Sequence, residues 1–307
     1  STPLYSSAAS DVYKRQNMHK KELYMTTLLP PDMSLGVVSL SVADLQRSLA
    51  YYQEHIGLAL QQRDGSIATL GAGDRPLLRL HEQPGAQHIQ RATGLYHYAI
   101  RVPSRLELAR VIQHFIQGGT PIDGASDHTV SEALYLSDPD GHGIEIYRDR
   151  PRSDWYDPQG KFLMNTLALD VPGIMAELNA ATPDWAGLHP DTDMGHVHLQ
   201  VANIPAAEQF YLGVLGFERM VNMGSASFVS AGGYHHHLGM NTWAGVGVPP
   251  PPPHAARLLS YEINLPTSAS LNTLLDQIRA ADLPITETDA GWVIRDPSQN
   301  TIVLRTI

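Results

Sequence analysis

The sequence predicts an α+β fold of four β-α-β-β-β modules. Three observations predict it. Residues 35–44 (LGVVSLSVAD), leading into LQRSLAYYQEHIGL, return as residues 194–203 (MGHVHLQVAN), leading into IPAAEQFYLGVLGF. Residues 95–103 (LYHYAIRVP), followed by LELARVIQHFIQGGTPI, return as residues 258–266 (LLSYEINLP), followed by LNTLLDQIRAADLPI. Asp138-Pro139 and Asp296-Pro297 then stand at matching places before a closing alternating run. In each unit an apolar period of two gives way to one of 3.6 and back again, which is a strand, a helix and further strands.

The elements follow in order. Residues 1–24 have no sustained apolar period and no signal-peptide core, and read as a non-native or disordered leader. Met18, Met25 and Met33 are the candidate natural starts, and with no targeting segment in view the cytoplasm is the expected compartment. Module one spans 25–92 and module two 93–150. A connection rich in Pro, Asp, Gly and Trp occupies 151–191, and module three runs over 192–248. The proline run at 249–253 marks an extended surface linker (249–256), and module four fills 257–307. The Asp-Pro turns break the last two strands of their modules, Pro139 fixing the turn and Gly141 permitting its backbone.

Composition narrows the function. Of 307 residues, 43% are hydrophobic and 17% charged, and no apolar run approaches the ~20 residues a membrane helix needs. A net charge of −10 disfavours a phosphate-coating surface, so nucleic acid is not expected as a partner, nor is a membrane. The chain has no Cys, which excludes disulfides, thiolate zinc sites, iron–sulfur ligation and cysteine nucleophiles. With 15 His, any metal is left to His, Asp or Glu.

The chemistry lies where matched modules differ. Module three has His196 where module one has Val37, and module two has His97 where module four has Ser260. In the closing strand, module two has Glu145 where module four has Val303. A lone strand His is usually a satisfied polar residue, but these three differ from their repeats in concert. Two His and one Glu are the composition of a facial triad, which leaves positions on a ferrous or similar ion open for substrate and dioxygen.

The stretch His128-Thr-Val-Ser-Glu-Ala-Leu-Tyr135-Leu-Ser-Asp138-Pro139-Asp-Gly141-His-Gly-Ile-Glu145 resembles the signature of extradiol ring-cleaving dioxygenases of the catechol 2,3-dioxygenase type, within the vicinal oxygen chelate superfamily. The resemblance covers essentially residues 35–307 and implies that the four modules form two vicinal-oxygen-chelate half-barrel pairs, modules two and three sharing the metal cleft. It implies a metal site of His97, Glu145 and His196, loaded with Fe(II) or alternatively Mn(II), and no organic cofactor. It also implies His236 as acid–base catalyst, with His128 and Tyr135 contacting substrate oxygens. The substrates would be a small aromatic diol and O2, in aromatic hydrocarbon catabolism, and a homo-oligomer is compatible with this reading. In the best-known ring-cleaving members the ligands come from the last two modules. Here Ser260 and Val303 deny module four that role, so modules two and three must close around the cleft and modules one and four must pair. The competing readings are a non-redox glyoxalase-type metal enzyme (lyase, isomerase or thiol transferase) and an aromatic-drug-binding resistance protein.

Blander expectations attach to the neighbours. Strand alternation turns His198 to the face of His196, where it either lines the cleft or only hydrogen-bonds. His235 and His237 flank His236 and are expected on the opposite face, toward solvent or a neighbouring strand. Asn241 and Trp243 read equally as cleft walls or as packing, and Tyr51, Tyr52 and Tyr211 as core stripes of their helices.

Overall fold

The computed structural model describes residues 26–307, so the expected leader over 1–24 lies outside the described residues. Module one supplies β1 (Ser34–Val42), α1 (Leu45–Tyr51, prolonged by a π-helical turn over Tyr52–Ile56), β2 (Ala59–Asp64), β3 (Ile67–Ala72) and β4 (Arg75–Glu82). Module two supplies β5 (Gly94–Arg101), α2 (Arg105–Gly118), β6 (Gly124–Asp127), β7 (Ser131–Ser137) and β8 (Gly143–Asp149). After a connection carrying the short α3 (Val171–Met175), module three supplies β9 (Asp193–Gln200), α4 (Ile204–Tyr211), β10 (Glu218–Asn222), β11 (Ala226–Ser230) and β12 (Leu238–Asn241). Module four supplies β13 (Leu258–Leu265), α5 (Ser268–Ala280), β14 (Thr286–Thr288), β15 (Gly291–Arg295) and β16 (Thr301–Thr306).

The helix of each module starts at a matching repeat position with a side-chain cap. Asp44, Ser104, Asn203 and Thr267 accept from the backbone N–H of Arg47, Glu107, Ala206 and Ser270, satisfying a donor the helix leaves unpaired. One face of each helix is then buried, as with Leu108, Val111, Ile112 and Phe115 of α2.

Two eight-stranded sheets result. One has the order β14-β15-β16-β13-β1-β4-β3-β2, the other β10-β11-β12-β9-β5-β8-β7-β6. Within every module the first and last strands run parallel, and modules join through antiparallel first strands, β1 with β13 and β5 with β9. Modules two and three therefore share one sheet, and modules one and four the other, as the placement of His97, Glu145 and His196 predicts.

The Asp-Pro turns tie the two sheets together. Asp138 Oδ1 accepts from the N–H of Asp140 and His142, while its Oδ2 accepts from Tyr52 Oη of α1 at 2.8 Å. Asp296 repeats this with Ser298, Asn300 and Tyr211 of α4, the last at 3.0 Å. Tyr52 and Tyr211 are thus buried as expected, but they serve as braces between modules rather than as apolar stripes. Tyr51 departs further: it is half-buried, and its hydroxyl donates to the Ser137 carbonyl at 3.0 Å. Gly141 holds a left-handed φ of +85°, and at the matching position Gln299 bears φ +69°. Among the described residues no helix is long and apolar enough to cross a membrane.

Candidate metal centre

Three strands lie side by side at the middle of the second sheet in the order β9-β5-β8. Register places His196, Ala99 and Glu145 in one row, with Tyr135 of β7 next to Glu145. His97 precedes Ala99 by two residues and so shares its face. The methyl of Ala99 leaves the space between the flanking side chains open. Below His97, Gly143 allows the strands to close: a Cβ there would lie 2.2 Å from the Tyr96 carbonyl oxygen and 3.0 Å from His97 Cβ.

The three side chains converge. His97 Nε2 and His196 Nε2 each stand 3.1 Å from Glu145 Oε2, and 3.3 Å from each other. All three are nearly sealed from solvent, at 6%, 2% and 2% exposure for His97, His196 and Glu145. Both rings turn the same nitrogen to the same carboxylate oxygen. These separations match the edges of a ligand face around an ion held at the ~2.1 Å typical of such donors. Burial alone would push the Glu145 carboxyl up, but the adjoining His196 and His97 hold it well below the usual carboxylate range. Burial lowers His196 to about 4, against the pull of Glu145, so its ring is neutral and available as a ligand at pH 7. The donor set thus fits a divalent ion. One feature is unusual for a ligating imidazole: His196 Nδ1 is buried without a partner.

A cavity of about 340 Å³ opens above the three residues. Its aromatic walls include Tyr96, Phe228 and Trp243, with Trp243 53% exposed at the mouth. His198 lines it too. Its ring lies edge-on to His97 with centroids 5.0 Å apart, and its Nε2 accepts from the Asn241 amide at 3.1 Å. Burial, then the neighbouring His97 and His196, keep His198 far below an ordinary imidazole and therefore neutral. So His198 both lines the cleft and hydrogen-bonds, Asn241 is a buried support, and Trp243 is a wall.

On one flank, Tyr135 Oη and His128 Nε2 are 2.7 Å apart, and His128 Nδ1 is 2.7 Å from the Asn165 carbonyl. The carbonyl can only accept, so Nδ1 carries the proton and Nε2 accepts from Tyr135. Burial, reinforced by Glu145, raises the Tyr135 phenol, which stays protonated. His128 sits in the turn between β6 and β7, beside Thr129 with its φ of +71°. The connection brings Asn165 here, since Leu167 bridges to Asp127 at the edge of β6.

On the other flank, the His236 ring lies 4.2 Å from that of His196. His235 and His237 overturn their expectation. Residues 231–237 form a turn-rich loop around Gly232 and Gly233, both at positive φ, so strand alternation does not apply. His235 is fully buried; its Nε2 is 2.8 Å from Asp149 Oδ1 and its Nδ1 is 2.9 Å from His236 Nδ1. The carboxylate can only accept, so the His235 tautomer with its proton on Nε2 donates to it and leaves Nδ1 as acceptor. His236 then donates from Nδ1 and keeps Nε2 as a free base, which burial and the surrounding imidazoles hold in the neutral form. His237 is buried as well, and its Nδ1 accepts from the Ala231 N–H at 3.2 Å. The role of Asp149 had a signal in the sequence: its repeat position holds Ile307, the same kind of difference that marks Glu145.

Residues 34–146 match the Glyoxalase/Bleomycin resistance protein/Dioxygenase superfamily. A catechol-2,3-dioxygenase of Bacillus subtilis (strain 168) is 43% identical over 277 residues, spanning 88% of this chain and 96% of its own. Glutathione transferase FosA of Serratia marcescens is 28% identical over 114 residues, 37% of this chain and 79% of its own. A solved Bacillus subtilis protein provisionally described as a dioxygenase superposes with a TM-score of 0.63 at 13% identity, covering 91% of this chain and 86% of that one. Glyoxalase I of Zea mays does so at 0.55 and 16%, covering 89% and 92%. At such identities the two structures speak for the fold alone.

Proposed function

The chain belongs to the glyoxalase/bleomycin resistance protein/dioxygenase superfamily, and on that footing we propose that it is a metal-dependent extradiol dioxygenase opening a catechol-type ring with O2. One observation carries the reading. The convergence of His97, Glu145 and His196 lies at the floor of an aromatic-walled cavity, with a free imidazole base on one flank and a phenol–imidazole pair on the other. His97, Glu145 and His196 would hold Fe(II) or Mn(II). When bound, the ion supplies a Lewis acid that lowers the pKa of a diol hydroxyl, and open positions for the diol and O2.

The chain's own groups do the rest. Aromatic walls orient one ring, and the cavity has over twice the ~150 Å³ that encloses a benzene. His236 Nε2 takes the proton of the second hydroxyl and later returns it, its ring fixed by the His235–Asp149 chain. Tyr135 Oη, its own proton donated in the hydrogen bond to His128, accepts a hydrogen bond from a ring hydroxyl on the opposite side. The relationship to the named dioxygenase favours this over the glyoxalase-type reading, since its identity extends along both sheets.

The test is anaerobic reconstitution with Fe(II) or Mn(II), followed by O2 and a panel of catechols. The expected result is one O2 consumed per yellow ring-opened product. Absence of O2 uptake with every diol, under conditions where metal is bound, would overturn the proposal.

A further inference from the structure

The sheet that lacks the metal ligands carries a cavity of its own. It measures about 440 Å³ and lies between the two sheets, reaching Val37, Arg79, Asn264 and Arg305 on one and Arg101 and Asp193 on the other. Val37 stands where the metal-binding sheet has His196, yet the surroundings have not simply become apolar. Repeat register puts Glu262 where the other sheet has Ala99, Arg305 where it has Tyr147, and Arg79 where it has Gly239. Three differences in concert, all toward charge, are the same kind of signal that marks the metal ligands.

The polar groups divide by their commitments. Arg101 is taken by Asp193 at 2.9 and 2.6 Å and by Asp149 at 3.0 Å. Glu262 accepts from the Val37 N–H at 3.2 Å and from Arg305 at 3.4 Å. Arg75 donates to the Thr192 carbonyl at 3.2 Å. Arg79, half-buried, has no acceptor among the described residues. Asn264 is 8% exposed, lines the cavity, and its Oδ1 has no donor. A buried amide oxygen without a donor is uncommon and costly, and so points to a missing partner.

We propose that this cavity binds a small monoanionic 2-hydroxycarboxylate with an aliphatic body. Its carboxylate pairs with Arg79, whose planar fork suits that group. Its hydroxyl donates to Asn264 Oδ1. Its carbon chain lies against Val37, Leu35 and Leu77. Glu262 and Asp193 repel a second negative charge, which selects against dicarboxylates and phosphate, while the arginines repel metal cations.

The experiment is calorimetric titration of the metal-loaded protein with 2-hydroxy-4-methylpentanoate, 4-methylpentanoate and 4-methylpentan-1-ol. The hydroxy acid is expected to bind one per chain, the plain acid several-fold more weakly, and the alcohol not at all. Arg79→Gln should weaken hydroxy-acid binding at least tenfold, Arg79→Lys should recover part of it, and Asn264→Leu should abolish the preference for the hydroxyl. Because hydroxy acids also chelate metals, the titration is repeated in metal-free His196→Ala protein, where affinity should persist. Loss of binding in that variant assigns the ligand to the metal centre and overturns the proposal. So does absence of binding at millimolar ligand, or an affinity indifferent to Arg79→Gln in protein of unchanged circular dichroism.

Discussion

Replacing His236 by Phe separates acid–base chemistry from metal holding. The ring sits at 5% exposure between His196 and Phe228, at centroid distances of 4.2 and 5.1 Å, so a phenyl group of similar size fills the same space. What disappears is the Nδ1–H donated to His235 and the free Nε2. The first loss leaves His235 Nδ1 unpaired in a buried place and costs about 1–3 kcal/mol of stability. The second removes a positioned base and should slow turnover by about 10²–10⁴-fold, or about 3–5 kcal/mol of barrier. The atoms of His97, Glu145 and His196 that face one another are untouched, so metal content and anaerobic catechol affinity should stay near wild type. Asp149→Asn perturbs the same chain one step back, exchanging a charge-assisted bond for a neutral one, and should cost about 2- to 30-fold. Metal analysis, anaerobic titration and single-turnover rates on the three proteins supply the comparison. Full turnover by His236→Phe would remove the base from the mechanism. Loss of metal would make His236 a ligand, and a greater loss in Asp149→Asn than in His236→Phe would break the proposed chain.

Four further outcomes are expected. His97→Ala, Glu145→Ala and His196→Ala should each lose metal and activity together, checked by metal analysis after dialysis; a variant keeping both would strike its residue from the ligand set. Val303→Glu should leave metal content at one per chain, because Val37 and Ser260 still bring no imidazole. Gly143→Ala should force β8 away from β5 and weaken metal retention while the protein still folds, since the clash is with backbone at 2.2 Å; unchanged retention would show that the strand spacing is tolerant. Burial holds His237 at about 3, below its ordinary 6.5, so the fold binds fewer protons there than the unfolded chain does. Its stabilising contribution is whole above pH 6.5 and declines toward pH 3, by about 2–3 kcal/mol at pH 4.5. Denaturant titrations of His237→Gln should accordingly show a shallower acid decline, and an unaltered slope would mean that this imidazole is not held neutral.

The pairing of modules was legible because the candidate ligands are a net change against an internal repeat: Val37, Ser260 and Val303 left the other sheet without the three metal donors. Four residues past Glu145, Asp149 carries the same signal against Ile307. His235 was not legible because two left-handed glycines turn its segment into a loop, where strand alternation fails. The partner of His128 lay beyond any reading of side chains, since it is the backbone carbonyl of Asn165, brought there by the bridge between Leu167 and Asp127. Tyr52 and Tyr211 looked apolar by spacing, and only their depth reveals hydroxyls that reach Asp138 and Asp296.

The sheets are nested like brackets, modules two and three inside modules one and four. During synthesis the inner sheet can therefore close as soon as β12 has emerged, whereas β1 waits for β13, with Ser34 finding Asn264 only when nearly the whole chain exists. A protease cut in the connection would leave two fragments, neither containing a complete sheet. His97 and Glu145 would lie on one and His196 on the other, so a divalent ion would act as a rivet between pieces that only each other can complete.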